Sequence, residues 1–293
     1  MSRYIWLRRI IFILIITGSY ATFAAKTSSL TSTDFSHRRD PNKSFREYVK
    51  AAKKAHRKAN PHIRGSSHQT ALDHAVPLNE LDTMRLVSWE NEQQVNQAFQ
   101  YLRDIRFLND PQHENFVRRS SWLYPDDGCF ARAELARANI ENFARKTVNK
   151  VFAFGDLTVA TNNTPEGSVT WWYHVAPMVK VGNANFVLDP AISPETPLRL
   201  EEWLARMTPT ESQEPLTVAV CDGETYVPNS KCRGAENAYE RALEEQEKYL
   251  ELEWQRQLEM GRRPELVLGS YPPWVEDIFR VLVEATGIEP ATF

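Results

Sequence analysis
Hydrophobic side chains recur at three- and four-residue steps in two stretches that flank a turn-rich loop. Val95, Phe99, Leu102 and Ile105 or Arg106 form one apolar face and predict a helix over about Glu90 to Leu108. Ala133, Ala136, Ile140, Phe143, Ala144 and Val148 form the second, starting directly after Pro125, Asp126, Asp127 and Gly128, which are turn and N-cap residue types. Strand-like runs follow at Val151–Phe154 and Leu157–Ala160, then a turn-rich Thr161–Gly167. Ser168–Val181 is rich in aromatic and β-branched residues, and a Gly182-Asn183 turn leads to a strand at Phe186–Leu188. Glu236–Met260 reads as a long charged helix striped by Tyr239, Leu243, Leu250, Trp254 and Leu258, and the stripe suits packing on the domain better than a heptad partner. Trp274–Ala285 reads as a last short helix. Helices, then antiparallel strands, then helices describe an α+β fold, without the alternation of a parallel doubly wound sheet.

Met1–Ala25 carries Arg3, Arg8 and Arg9 ahead of an apolar Ile10–Ile16 run, with small residues up to Ala25. That order predicts a signal peptide cut after Ala24 or Ala25 and an exported protein, periplasmic or secreted. The run is shorter than the ~20 residues of a spanning helix, so no stable membrane span is expected after cleavage; an uncleaved anchor is the alternative. Lys26–Ala75 is basic and polar, with Arg38, Arg39, Lys43, Arg46, Lys50, Lys53, Lys54, Arg57 and Lys58. It reads as a linker or a pro-segment, in which Phe45, Tyr48, Val49 and Ala52 can form a short amphipathic helix. The folded domain is expected over 76–285, with 286–293 as a tail. A net charge of −3 gives no reason to expect a nucleic-acid partner. His56, His62, His68 and His74 are spaced by six residues, which does not match the i, i+4 pairing of helical zinc sites, and no metal or other cofactor is expected.

There are three cysteines. Cys221 and Cys232 bracket a Gly- and Pro-containing loop that a local disulfide can close, contributing about 3 kcal/mol. Cys129 is left over, and an odd cysteine in an exported chain implies an intermolecular bridge or a reactive thiol. Its place at a helix N-terminus favours the second reading over a buried structural cysteine. Unpaired N–H groups and the dipole there predict a depressed thiol pKa and can stabilise an oxyanion. Asp126 and Asp127 are N-cap candidates without a chemical role, and Arg132 is placed to pair with one of them.

A thiolate nucleophile needs a base, and beyond Cys129 the chain has one histidine, His174, in an apolar strand. If Gly182-Asn183 is a two-residue turn, Val181 faces Ala184 and residue 174 faces Ala191. Asp189 then lies diagonally across from His174 on the same side, with Cβ atoms somewhat under ~7–8 Å apart, where it can orient the imidazole. Pro177 can bring a bulge that shifts this register. Buried core histidine and Asp-Pro turn are the structural alternatives for the pair.

Trp122-Leu-Tyr-Pro-Asp-Asp-Gly-Cys-Phe-Ala-Arg-Ala133, followed by Trp-Trp-Tyr-His174-Val-Ala and Phe-Val-Leu-Asp-Pro190, resembles the bacterial protein-glutaminases. These are secreted protein-glutamine deamidases with a papain- and transglutaminase-like Cys-His-Asp core. The resemblance covers about Phe99–Met207. It implies a papain/transglutaminase-like fold with the nucleophile at a helix N-terminus packed on an antiparallel sheet. It assigns nucleophile to Cys129, base to His174 and orienter to Asp189, and it implies a pro-region covering the active site. The expected reaction is deamidation of glutamine side chains in a protein or peptide substrate, with Trp171, Trp172 and Tyr173 walling the slot or serving as sheet core. The same triad serves transglutaminases and cysteine peptidases, and a catalytically idle exported binding module is a further alternative.

Overall fold
The computed structural model describes residues 38, 40, 42–59, 69–113, 116–208, 215–234 and 237–269. The leader at Met1–Ala25, His62, His68, the helix expected at Trp274–Ala285 and the tail at 286–293 lie outside the described residues. In chain order the elements are α1 (Phe45–Ala59), β1 (Val76–Pro77), β2 (Ser88–Trp89), α2 (Glu92–Asp104), β3 (Leu108–Asn109), β4 (Val117–Arg118) and α3 (Cys129–Ala144). Next come β5 (Asn149–Ala160), β6 (Ser168–Val181), β7 (Ala184–Val187), β8 (Leu198–Arg199), α4 (Leu200–Ala205), β9 (Thr217–Asp222), α5 (Tyr239–Glu259) and α6 (Pro264–Val267). No helix among the described residues is long and apolar enough to cross a membrane.

The main sheet runs β1-β9-β5-β6-β7-β8 in antiparallel order, and β2 adds a short parallel pairing to the end of β6. The fold is α+β, with Cys129 at the N-terminus of a helix packed on this sheet. Strand β9, missing from the sequence reading, is the short apolar run ending at Cys221-Asp222 and pairs with β5. Phe152, Phe154, Tyr173, Val175 and Ala219 share one core with the start of α3 and with Ala242, Tyr249 and Leu250 of α5. Val151, Ala153, Ala176, Met178, Val218 and Val220 share another with Trp203, Leu204 and Met207. The two sets come from alternating positions, as period-2 strand geometry requires.

The alternation breaks once, and the break shapes the site. Phe154 pairs with Tyr173 but Leu157 pairs with Trp171, so Gly155 and Asp156 together oppose Trp172. Gly155 takes φ +154, a conformation in which a side chain is disfavoured. This bulge turns Trp172 and Tyr173 to the core shared with α3 and leaves Trp171, with His174 stacked on it, outside that core. The following hairpin has the register the turn predicts, with Val181 opposite Ala184 and Met178 opposite Val187. After Val187 one more bond, Leu188 N–H to the Pro177 carbonyl, continues the ladder before the chain turns at Asp189.

Helix α5 departs from the expected stripe. Its buried face is Ala242, Gln246, Tyr249, Leu250, Glu253, Trp254 and Gln257, while Leu258 is exposed. Polar residues are turned inward because the loop before α3 presents backbone groups and Arg118 that need partners, as described below. Helix α1 forms where Phe45, Tyr48 and Ala52 suggested it, opened by a capping box in which Ser44 and Glu47 bond reciprocally. Those three apolar side chains pack on the core that contains Cys129. Packing also begins ahead of Val76: Ala71 is fully buried and Thr70 bridges to Lys231.

Candidate active site
Gly128 is the N-cap of α3, with φ +85 and no side-chain cap. A Cβ there would lie 2.6 Å from the Tyr249 ring, so both conformation and packing demand glycine. Neither aspartate caps the helix through N2 or N3, which corrects the expectation. Asp127 Oδ1 accepts from the Gly128 N–H, and Asp126 forms ion pairs with Arg256 of α5 and Arg38. Arg132, expected to pair with one of the two, meets Asp127 through its carbonyl at 2.8 Å and also donates to the carbonyls of Tyr124 and Ser121. Three carbonyls of the loop are thereby gathered onto one guanidinium.

Helix α5 holds the same loop from outside. Gln246 Oε1 accepts from the Ser121 N–H at 3.0 Å, and Glu253 accepts from the Leu123 N–H at 2.7 Å. The second oxygen of Glu253 takes Arg118 at 2.6 Å, and Arg118 also pairs with Asp110. All three charged groups are buried. Removing one member leaves another charged and uncompensated, so Glu253→Ala is expected to lower stability by about 3–5 kcal/mol. Urea unfolding checks this; a loss under 1 kcal/mol, the range of an exposed pair, would rule the arrangement out.

Cys129 is unpaired and 1% exposed. It packs in one core with Tyr173 and Val175, and both influence its protonation. The thiol therefore sits against the strand residues that flank His174. Burial pushes the Cys129 thiol well up, with Asp127 and Asp189 adding to the rise and Arg132 and the Val175 N–H opposing it. The expected depression of its pKa is overturned in this state, because desolvation of the thiolate outweighs the helix terminus. Cys221 and Cys232 are joined. Alkylation of the native full-length protein followed by peptide mapping should find Cys129 as a thiol that reacts slowly until the protein is unfolded, with the other two in one disulfide. Rapid labelling of Cys129 in the folded chain would contradict the burial.

His174 Nε2 lies 2.7 Å from Asp189 Oδ2, direct contact where the register alone predicted a diagonal neighbour. The turn that ends β7 makes the difference, since Ile192 and Ser193 N–H groups both bond to the Asp189 carbonyl. Trp203 Nε1 donates to the same carboxylate oxygen at 2.9 Å and the Ala191 N–H to the other at 3.2 Å. Burial acts to raise the Asp189 pKa, but the His174 charge and the bonds from His174 and Trp203 hold it below its ordinary value. Trp171 stacks on the imidazole with ring centroids 4.4 Å apart, and its Nε1 donates to the Pro125 carbonyl at 2.9 Å. One indole thus links His174 to the loop that carries Cys129.

The three aromatic wall candidates have separate places: Trp171 beside His174, Tyr173 in the core with Cys129, and Trp172 under Tyr48 of α1 at 5.5 Å. Trp203, Gln246 and Glu253 are the participants that sequence reasoning missed. Their signal was faint: a tryptophan in a short helix, and polar residues at heptad-compatible positions of a charged one. Groups of His, Cys, Asp and Glu able to hold a metal ion are absent among the described residues.

Arg38 and α1 touch this arrangement. Arg38 bridges to Trp171 on the β7-side edge of β6, Tyr48 stacks on Trp172, and the Asp40 N–H bonds to the Tyr48 hydroxyl. Farther along, His56 Nδ1 lies 3.0 Å from the Asn229 carbonyl and Lys53 reaches Asp73.

Residues 95–207 match a family model described as glutaminase. Cys129, His174, Asp189 and Trp203 fall inside that match; α1, β9, the disulfide and α5 fall outside it. Among solved structures, a crystal structure of pro-protein-glutaminase is 20% identical, with 67% of this chain and 66% of that chain covered at a TM-score of 0.43. A mutant of pro-protein-glutaminase is 23% identical, with 53% and 57% covered and a TM-score of 0.39. The NMR structure of protein-glutaminase from Chryseobacterium proteolyticum is 21% identical, with 62% and 91% covered and a TM-score of 0.42. The chain thus spans 57% and 66% of the two pro-forms. No curated protein matches the chain.

Proposed function
We propose that the protein is an exported protein-glutamine deamidase and that residues 38–59 hold it in a covered state. The observation that carries this reading is the coincidence of two things within residues 95–207. That segment matches the glutaminase model, and it sets a hydrogen-bonded His174–Asp189 pair between Tyr173 and Val175, which share a core with Cys129.

In the proposed reaction Asp189 fixes His174 through Nε2, so Nδ1 is the nitrogen that serves the sulfur. His174 takes the thiol proton, and the thiolate attacks the carbon of a glutamine carboxamide. The oxygen of the tetrahedral adduct is stabilised by N–H groups at the start of α3, and the adduct collapses as His174 protonates departing ammonia. A Cys129 thioester remains. His174 then removes a proton from water, the hydroxyl adds to the thioester carbonyl, and glutamate leaves as the sulfur recovers its proton.

Covering is consistent with the raised thiol, since a buried, protonated Cys129 is a poor nucleophile. Export is supported by the leader pattern at Met1–Ala25 and by the Cys221–Cys232 disulfide. The test is ammonia release from a glutamine-containing protein together with mass spectrometry of the product. A gain of about one dalton per event supports deamidation; a crosslink means transglutamination and fragments mean peptidase action.

A further inference from the structure
The way Arg38 is held identifies a seat for a charged side chain. Its backbone forms an antiparallel bridge with Trp171 on the edge of β6 that β7 leaves uncovered when the chain turns at Asp189. Its guanidinium meets Asp126 Oδ1 at 3.1 Å, on a carboxylate whose side chain is only 5% exposed. Trp171 bonds to the Pro125 carbonyl, so the main-chain rung and the carboxylate are fixed to each other through neighbouring residues.

The charge around the seat needs a cation from outside. Asp126, Asp127 and Glu259 are acidic; Arg256 is shared between Asp126 and Glu259, and Arg132 is engaged with the loop carbonyls. Arg38 supplies a further positive charge, delivered by a residue in antiparallel bridge to β6. Strand addition of this kind recognises a peptide by main-chain bonds and selects it by a side-chain pocket.

We propose that the β6 edge at Trp171 and the Asp126 carboxylate form a subsite for a basic residue of an extended polypeptide substrate, and that Arg38 occupies it in cis. The proposal rests on the deamidase reading for the word substrate. The register adds a direction. In an antiparallel bridge, moving from Trp171 towards His174 on β6 moves the partner strand towards its N-terminus. A glutamine presented to Cys129 therefore precedes the basic residue by about three to four positions.

The test uses the full chain with Arg38→Ala and two pairs of short labelled peptides. Within each pair arginine is exchanged for citrulline at the position three residues after the target. One pair carries glutamine at the target, for turnover; the other carries asparagine, for binding by fluorescence anisotropy. The arginine peptide is expected to bind about fivefold to tenfold more tightly, the modest gain of a half-exposed ion pair, and the preference should fade as salt is raised. Asp126→Asn in the same background should remove the preference, and the citrulline comparison needs no change at Asp126 if that variant folds poorly. Equal affinity for the two peptides overturns the subsite, as does absence of binding by both at millimolar peptide. Discrimination in binding with no ammonia from the glutamine pair, either with this chain or with one starting at Gln69, would instead overturn deamidation while leaving the subsite in place.

Discussion

Cys129→Ala should abolish ammonia release from glutamine peptides, and His174→Asn should lower kcat/KM by about 10⁴–10⁶-fold, the range in which removal of one member of such a triad falls. Asparagine is the better replacement at 174. The imidazole is buried between Trp171 and Asp189, so alanine would leave a cavity and a carboxylate with only Trp203 and the Ala191 N–H. The acid limb of stability separates a positioned pair from a passive one. Asp189 is held below its ordinary value of 3.8 by His174 and Trp203, although burial alone would raise it. A lowered folded pKa contributes stability that is complete above the unfolded value and is lost as pH falls through the folded one. The stability difference between wild type and Asp189→Asn should therefore be constant at neutral pH and shrink below about pH 4. Activity that survives His174→Asn, or a stability difference that persists unchanged into strong acid, would show that the pair is core packing and nothing more.

Where the sequence was legible, the reason is local. The Gly182-Asn183 turn sets the hairpin register, and the step from Gly128 into an apolar helical pattern sets the start of α3; each depends on residues within a few positions of one another. The bulge opposite Trp172 was not legible, because it arises from an excess of residues on β5 that only pairing reveals. Strict alternation would have put Trp171 and Tyr173 on one side and Trp172 and His174 on the other. The actual break places Tyr173 in the core with Cys129 and Trp171 on the imidazole. The buried face of α5 was misjudged for a related reason. Gln246 and Glu253 are inward because Ser121, Leu123 and Arg118 need partners, and those lie more than a hundred residues earlier. The thiol was misjudged through its surroundings, since the core around it desolvates the thiolate more than the helix terminus offsets, and α1 packs on that same core as the proposed cover.

That cover leads to the second large effect. A chain starting at Gln69 should deamidate a protein substrate at least about tenfold faster than one that retains residues 26–68, because a tethered segment competes with substrate at an effective concentration near the millimolar range. The boundary follows from packing. Thr70 bridges Lys231, the Ala71 N–H bonds to the Ser230 carbonyl and Ala71 is fully buried, whereas α1 rests on the core through the partly buried Phe45, Tyr48 and Ala52. A chain cut back to Val76 should lose that bridge and the burial of Ala71, and melt at a lower temperature than the Gln69 form. Alkylation of Cys129 provides the second readout. Uncovering the sulfur relieves its desolvation, so the pH at which it begins to react with iodoacetamide should fall on trimming, while the Cys221–Cys232 bond stays intact. If the trimmed and untrimmed forms turn over substrate at the same rate, and Cys129 reacts at the same pH in both, residues 38–59 are a structural part of the fold and the covered state has no regulatory meaning.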